Sequence, residues 1–202
     1  MAERTFSPGR LESISDGVIA VIITIMVLSL TPPRSADPAA LAALWPSFVA
    51  YFVSFVFVAI YWVNHRYLFR FLRAVDDRIL WSNMLLLFVL SMVPFGAAYM
   101  GQTGLARFPV AADAALMLVC GAAYLNLRVA IGRHVRSPEE AAVFNEGRAR
   151  WVNLAALAVY VLAIPAALIN PLLSLALNLT VSVVYFTPYP RPDLNGQSEA
   201  SG

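Results

Sequence analysis

RLESISDGVIAVIITIMVLSL, residues 10–30, opens with charge and continues with almost none. Arg10, Glu12 and Asp16 all precede Gly17, and thirteen residues without a charge follow. Pro32 and Pro33 then stop the run. About 20 mostly apolar residues are needed to cross a bilayer as a helix, so the stretch reads as a first membrane span. An acid at the start of such a span is costly unless it has a partner or a task, which singles out Asp16.

The rest of the chain agrees with a lipid solvent. Of 202 residues, 60% are hydrophobic and only 13% charged, with a mean hydropathy of +0.71. Soluble domains carry about 25% charged residues. Five further apolar runs follow, giving spans at about 10–30, 40–63, 78–100, 107–131, 149–169 and 171–187. The expected fold is therefore an all-α integral membrane protein with six transmembrane helices, residues 10–187. Residues 1–9 form a polar lead, with Pro8 at the first helical position. Residues 188–202 form a Pro-, Gly- and Ser-rich tail expected to be disordered. Pro94 is expected to kink the third span. Ser137-Pro138-Glu139-Glu140 reads as the start of a surface helix in the loop 132–148.

All fourteen basic residues are arginines. With six spans, the termini and the loops after spans two and four hold twelve of them: Arg4, Arg10, Arg66, Arg70, Arg73, Arg78, Arg128, Arg133, Arg136, Arg148, Arg150 and Arg191. The opposite side holds only Arg34 and Arg107. This asymmetry places both termini in the cytoplasm and the chain in the cell membrane. The arginines do not line one surface, so nucleic acid is not an expected partner.

Enzyme signatures are missing: no P-loop, no GxSxG, no HExxH, no paired intramembrane carboxylates. No catalytic residue, resident metal or cofactor is expected. A TVGYG filter is also missing. Cys120 is the single cysteine and reads as a buried hydrophobe. Asp113 reads as an interfacial acid near the start of span four, at its outer end, and His134 as a solvated loop residue.

Two constellations remain. Arg10, Ser15, Asp16, His65 and Asn83 all fall at the arginine-rich ends of spans one to three. Adjacent helices bring such groups into a polar network that satisfies Asp16, or into an ion or proton site, or leave them at the headgroup boundary. Val21, Thr24, Ile25 and Leu28 stand at i, i+3, i+4 and i+7, on one face of span one. Such a row is either packing or a pore lining of hydrophobic rings.

Arg10-x-x-x-Ile14-Ser15-Asp16-x-x-x-Ala20 resembles the RxxxFSDxxxA signature of the transmembrane protein 175 family, the lysosomal potassium channels and their prokaryotic homologues. Ile14 replaces the usual Phe, an apolar exchange. Trp62-Val63-Asn64-His65-Arg66-Tyr67-Leu68-Phe69 is similar to the family's second-span ending, and Asn83 with Pro94-Phe95 to its third span. The resemblance implies a cation channel with potassium preference and K+ as permeant ion. It implies a homotetramer of single-repeat chains, with span one lining the central pore. Val21, Ile25 and Leu28 then stand at the apolar constrictions and Thr24 at a pore threonine, while Arg10, Ser15, Asp16 and His65 form a buried polar network. The partners it implies are further copies of the chain, the lipid bilayer and monovalent cations. A proton-permeable channel or proton-coupled carrier using Asp16 and His65 is the alternative.

Overall fold

The computed structural model describes residues 7–135, 144 and 147–186, and is helical in every element. The helices are α1 (Pro8–Met26), α2 (Pro38–Ala42), α3 (Trp45–Phe69), α4 (Asp77–Leu90), α5 (Val93–Gln102), α6 (Arg107–Gly132), α7 (Gly147–Ile169) and α8 (Pro171–Phe186). The surface helix expected at Ser137–Glu140, the lead before Ser7 and the tail after Phe186 lie outside the described residues.

Local chemistry explains most boundaries. Pro8 opens α1, where its missing N–H costs nothing. Asp37 caps α2 by accepting from Ala39 N at 2.9 Å, and Asp76 caps α4 by accepting from Ile79 N at 2.7 Å. Asp77 adds a favourable charge to the first turn of α4. Pro94 has no N–H for the carbonyl of Leu90, and α4 ends at Leu90. The chain turns at Ser91-Met92 and resumes as α5, so the third apolar run is one span in two pieces.

Three ends differ from expectation. The second run starts as the separate helix α2, and α3 begins only at Trp45, with Pro46 in its first turn. At its other end α3 runs on to Phe69. The first run is α-helical only to Met26, followed by a 3₁₀ turn, Val27–Ser29. The Ser29 hydroxyl donates to Met26 O at 2.7 Å there, and the extended conformation favoured before Pro32 ends the helix.

Five segments are long and apolar enough to cross a membrane: Pro8–Ser29, Trp45–Phe69, Asp77–Gln102, Arg107–Gly132 and Trp151–Ile169. Pro171–Ser182 is apolar but shorter. Helix α6 is central and packs on α4, α5, α7 and α8, while α3 packs on α1, α5 and α8. One core gathers Leu11, Ile19, Met26, Val58, Ile79, Leu86, Met117 and Leu127, all fully buried. A smaller one joins Ala50, Val53, Met100, Val110 and Leu175 at the opposite end. Trp81, Phe88, Phe95, Phe108 and Trp151 stay exposed on the outside. Large aromatics facing outward all round are what a lipid solvent tolerates and water does not.

Candidate functional site

Helix α1 touches α3, α4 and α5 through one face only. Leu11, Ser15, Ile19, Ile22 and Met26 form that buried face, in steps of three and four. The opposite face is open. Val21 is 54% exposed, Ile25 47% and Leu28 77%, and Gly17, Ala20 and Thr24 are exposed with them. In one subunit this row covers nothing and is covered by nothing. The Thr24 hydroxyl donates to Val21 O at 2.9 Å, so its proton is used within the helix and its oxygen lone pairs face outward. Leu28 sits in the 3₁₀ turn, which tightens the step from Ile25.

The polar residues divide. Asn83 Nδ2 donates to Ser15 Oγ at 2.9 Å, and His65 Nε2 donates to Asn83 Oδ1 at 2.8 Å. Ser15 Oγ in turn donates to Leu11 O at 2.8 Å. All three side chains are buried, so α1, α3 and α4 are joined by one continuous chain of hydrogen bonds. The His65 ring stacks on Phe69 at 4.1 Å between centroids. Asp16 lies one residue beyond Ser15, about 100° around the helix, and is half-buried. It accepts from Trp62 Nε1 at 2.9 Å, a second tie between α1 and α3. Arg10 is exposed on the first turn of α1. Trp62 was not picked out by sequence reasoning as a partner. Its position three residues before His65, at the same helix end, was the available signal.

Asp113 is corrected outright. It is 2% exposed, and neither carboxyl oxygen has a hydrogen-bond partner among the described residues. A Cβ on Gly96 would fall 2.5 Å from its Oδ1, so the missing side chain of α5 makes the space. The signal was the row Val110, Asp113, Ala114, Met117, which repeats at three and four residues and faces inward. A buried acid without a partner is a cost to the fold. Asp113→Leu keeps the branched shape and removes both unpartnered oxygens. It is expected to raise the thermal midpoint in detergent, by the equivalent of about 1–3 kcal/mol. A lowered midpoint would mean that the carboxyl has a partner the described residues do not include.

Among the described residues, no group of three or more His, Cys, Asp or Glu is placed to hold a metal ion. The candidate site is therefore a surface and its supports: an open row on α1, held in rotation by Ser15–Asn83–His65 beneath it and Asp16–Trp62 beside it.

Residues 10–94 match the family described as Endosomal/lysosomal potassium channel TMEM175. A protein of Chryseobacterium sp. (strain P1-3), named a potassium channel, is 35% identical over 184 residues, 91% of this chain and 94% of that one. The rat protein named endosomal/lysosomal proton channel TMEM175 is 33% identical over 115 residues, 51% of this chain and 23% of its own length. The crystal structure of a TMEM175 homologue from Chamaesiphon minutus, titled a lysosomal potassium-selective channel, has the same fold. Its TM-score is 0.78 at 24% identity, over 88% of this chain and 95% of that one. With the polar signature of α1 in place and a relative aligned over nearly the whole length, the chain belongs to the TMEM175 family.

Proposed function

We propose that four copies of the chain assemble about a central axis lined by α1 and pass K+ passively across the cell membrane. The observation that carries this is the open row Val21, Thr24, Ile25 and Leu28, exposed on a helix whose other face is fully packed. A single row closes nothing. Rotational copies turn each residue into a ring, and cyclic assembly is the ordinary route to such a ring. The names of the bacterial relatives as potassium channels support the choice of ion.

In that arrangement Val21, Ile25 and Leu28 are stacked apolar constrictions. They offer a cation no replacement for its water, so conduction depends on how wide and how wet each ring is. Potassium holds its water less tightly than sodium, so such rings favour it, to a modest degree. Thr24 would add a ring of oxygen lone pairs between the Val21 and Ile25 levels. Helix α8 would serve as the sixth span, with sixteen residues that reach about 24 Å at 1.5 Å per residue. The arginine-rich ends, and both termini, would face the cytoplasm.

The proton-permeable reading has the names of the animal relatives behind it. The geometry favours it less in the carrier form, because Asp16 and His65 bond to Trp62 and Asn83 and not to each other.

Rubidium uptake into liposomes tests the pore. Leu28→Ala and Ile25→Ala each remove bulk from a proposed constriction without touching the packed face. Each is expected to raise uptake, by about tenfold where the ring limits the rate, since about 1.4 kcal/mol off a barrier is a factor of ten. Uptake unchanged in both variants would defeat the assignment of α1 as the pore wall.

A further inference from the structure

His134 is not the solvated loop residue that its place in the sequence implies. It follows α6 directly and is half-buried, and its backbone N–H donates to Ile131 O at 2.9 Å. Both ring nitrogens meet oxygens. Nδ1 lies 3.3 Å from Ala130 O in the last turn of α6, and Nε2 lies 3.4 Å from Asp76 Oδ2. Asp76 is the cap of α4, where its other oxygen, Oδ1, accepts from Ile79 N. One carboxylate therefore holds the start of α4 and reaches the end of α6.

The inventory of protons decides which form of His134 fits. A carbonyl and a carboxylate oxygen only accept. A neutral imidazole carries one N–H, so it satisfies one of them and turns a lone pair toward the other. The imidazolium carries two and satisfies both. The free carbonyls at the end of α6 also favour a cation there, and Asp77 acts in the same sense. Arg133 on α6, Arg70 and Arg73 after α3, and Arg78 on α4 oppose it, and Arg148 and Arg150 open α7 at the same end. Arg128 is engaged elsewhere: its guanidinium donates to Phe144 O and lies over the Phe144 ring.

The end of α6 is thus held at two points. Phe144 is buried against Phe71, with 5.3 Å between ring centroids, and a Cβ on Gly132 would fall 2.7 Å from its Cε1. That contact does not depend on protons. The contact of His134 with Asp76 does. Its leverage comes from α4, a rigid rod that carries Asn83 about 10 Å beyond the Asp76 cap, at 1.5 Å per residue. There Asn83 bonds Ser15 of α1.

We propose that His134 and Asp76 form a proton-dependent clasp on the arginine-rich face, closed when the ring is charged, which steadies α4 and, through Asn83, the rotation of α1. The clasp opens as pH rises through the range of about 5–8 in which histidines change charge. Its effect on conduction rests on the central-pore reading, whereas the clasp itself does not.

Nitrogen NMR of the full chain, labelled at histidine in detergent micelles, reads the clasp directly, since the sequence holds only two histidines. Asp76→Asn keeps an acceptor for Ile79 N and removes the charge. In this variant His134 is expected to hold its proton about two- to fivefold less tightly, the range of a part-exposed ion pair. Liposomes with equal pH on both sides read the consequence. Wild-type rubidium uptake is expected to be about two- to fivefold lower at about pH 8.5 than at about pH 5.5, while His134→Gln and Asp76→Asn keep the lower value at both. An unchanged proton affinity of His134 in Asp76→Asn overturns the clasp. A lowered affinity beside a flat wild-type uptake profile, or a profile that both variants retain, overturns its link to α1. Rubidium uptake absent at every pH defeats the central pore, and the NMR result then decides the clasp alone.

Discussion

Asn83→Leu is expected to destabilise the folded subunit by about 2–3 kcal/mol, since it strands a buried polar group. Asn83 is the middle of the chain from Ser15 to His65, and all three are buried. The loss is not shared equally. Ser15 keeps its bond to Leu11 O when Asn83 is gone. His65 loses the partner of Nε2, and its Nδ1 already has no hydrogen-bond partner among the described residues. The imidazole would then be fully unsatisfied in the interior. Removing it as well should help: Asn83→Leu with His65→Leu is expected to lose less than Asn83→Leu alone, because taking out both partners leaves no orphan. Thermal unfolding in detergent, followed by elution as a single species, measures both. A double variant less stable than the single would show that the imidazole packs better than it bonds. The consequence for function is rotational. One residue is about 100° of helix, so α1 turned by that much would carry Val21 and Ile25 away from the open side. Asn83→Leu is therefore expected to disturb rubidium uptake although it lies on α4.

How much of this was legible in the sequence depends on which property a residue had to show. Run length alone located the five segments that are long and apolar enough to cross a membrane, because lipid imposes one helix length on any spanning sequence. Pro94 announced the break before α5, since the missing N–H is a property of the residue and not of its surroundings. Ser15, His65 and Asn83 were visible as polar residues at one depth in apolar runs. Their partners were harder to see. Ser15 and Asp16 are neighbours in the chain, and only the row Leu11, Ser15, Ile19, Ile22 decides which of them points inward. Asp113 was misplaced for the same reason: its distance from the end of the run suggested the interface, whereas the row Val110–Met117 turns it into the core. The 3₁₀ turn at Val27–Ser29 had no sequence signal beyond the prolines that follow it. His134 looks solvated in the sequence because a polar loop follows it, and nothing there pairs it with Asp76, the cap of another helix.

Gly101→Ala is expected to cost about 1–3 kcal/mol, the usual penalty for overpacking a close contact. Helices α3 and α5 meet through small residues. Ala97 and Gly101 are four apart on α5, and Ser47, Ala50 and Ser54 follow one face of α3. In a bilayer, helices gain by such close approach because lipid is as apolar as their own side chains. A Cβ at position 101 would lie 2.9 Å from the Cα of Ser47 and 3.0 Å from its Oγ. The Cα cannot rotate away, so the two helices must separate. Gly121 offers the contrast. There a Cβ would come closer still, 2.7 Å, but to Cδ2 of Leu157. That atom is the far end of a flexible side chain, and Leu157 lines the same cleft as Gly121, which gives it somewhere to go. Alanine also gains about 0.8–1 kcal/mol of helix propensity over glycine. Gly121→Ala is therefore expected to be near neutral, although its contact is the shorter of the two. Thermal midpoints of both variants in detergent decide it. If Gly121→Ala lost as much as Gly101→Ala, distance rather than the mobility of the opposing atom would set the penalty, and the close α3–α5 approach would hold no special place in the fold.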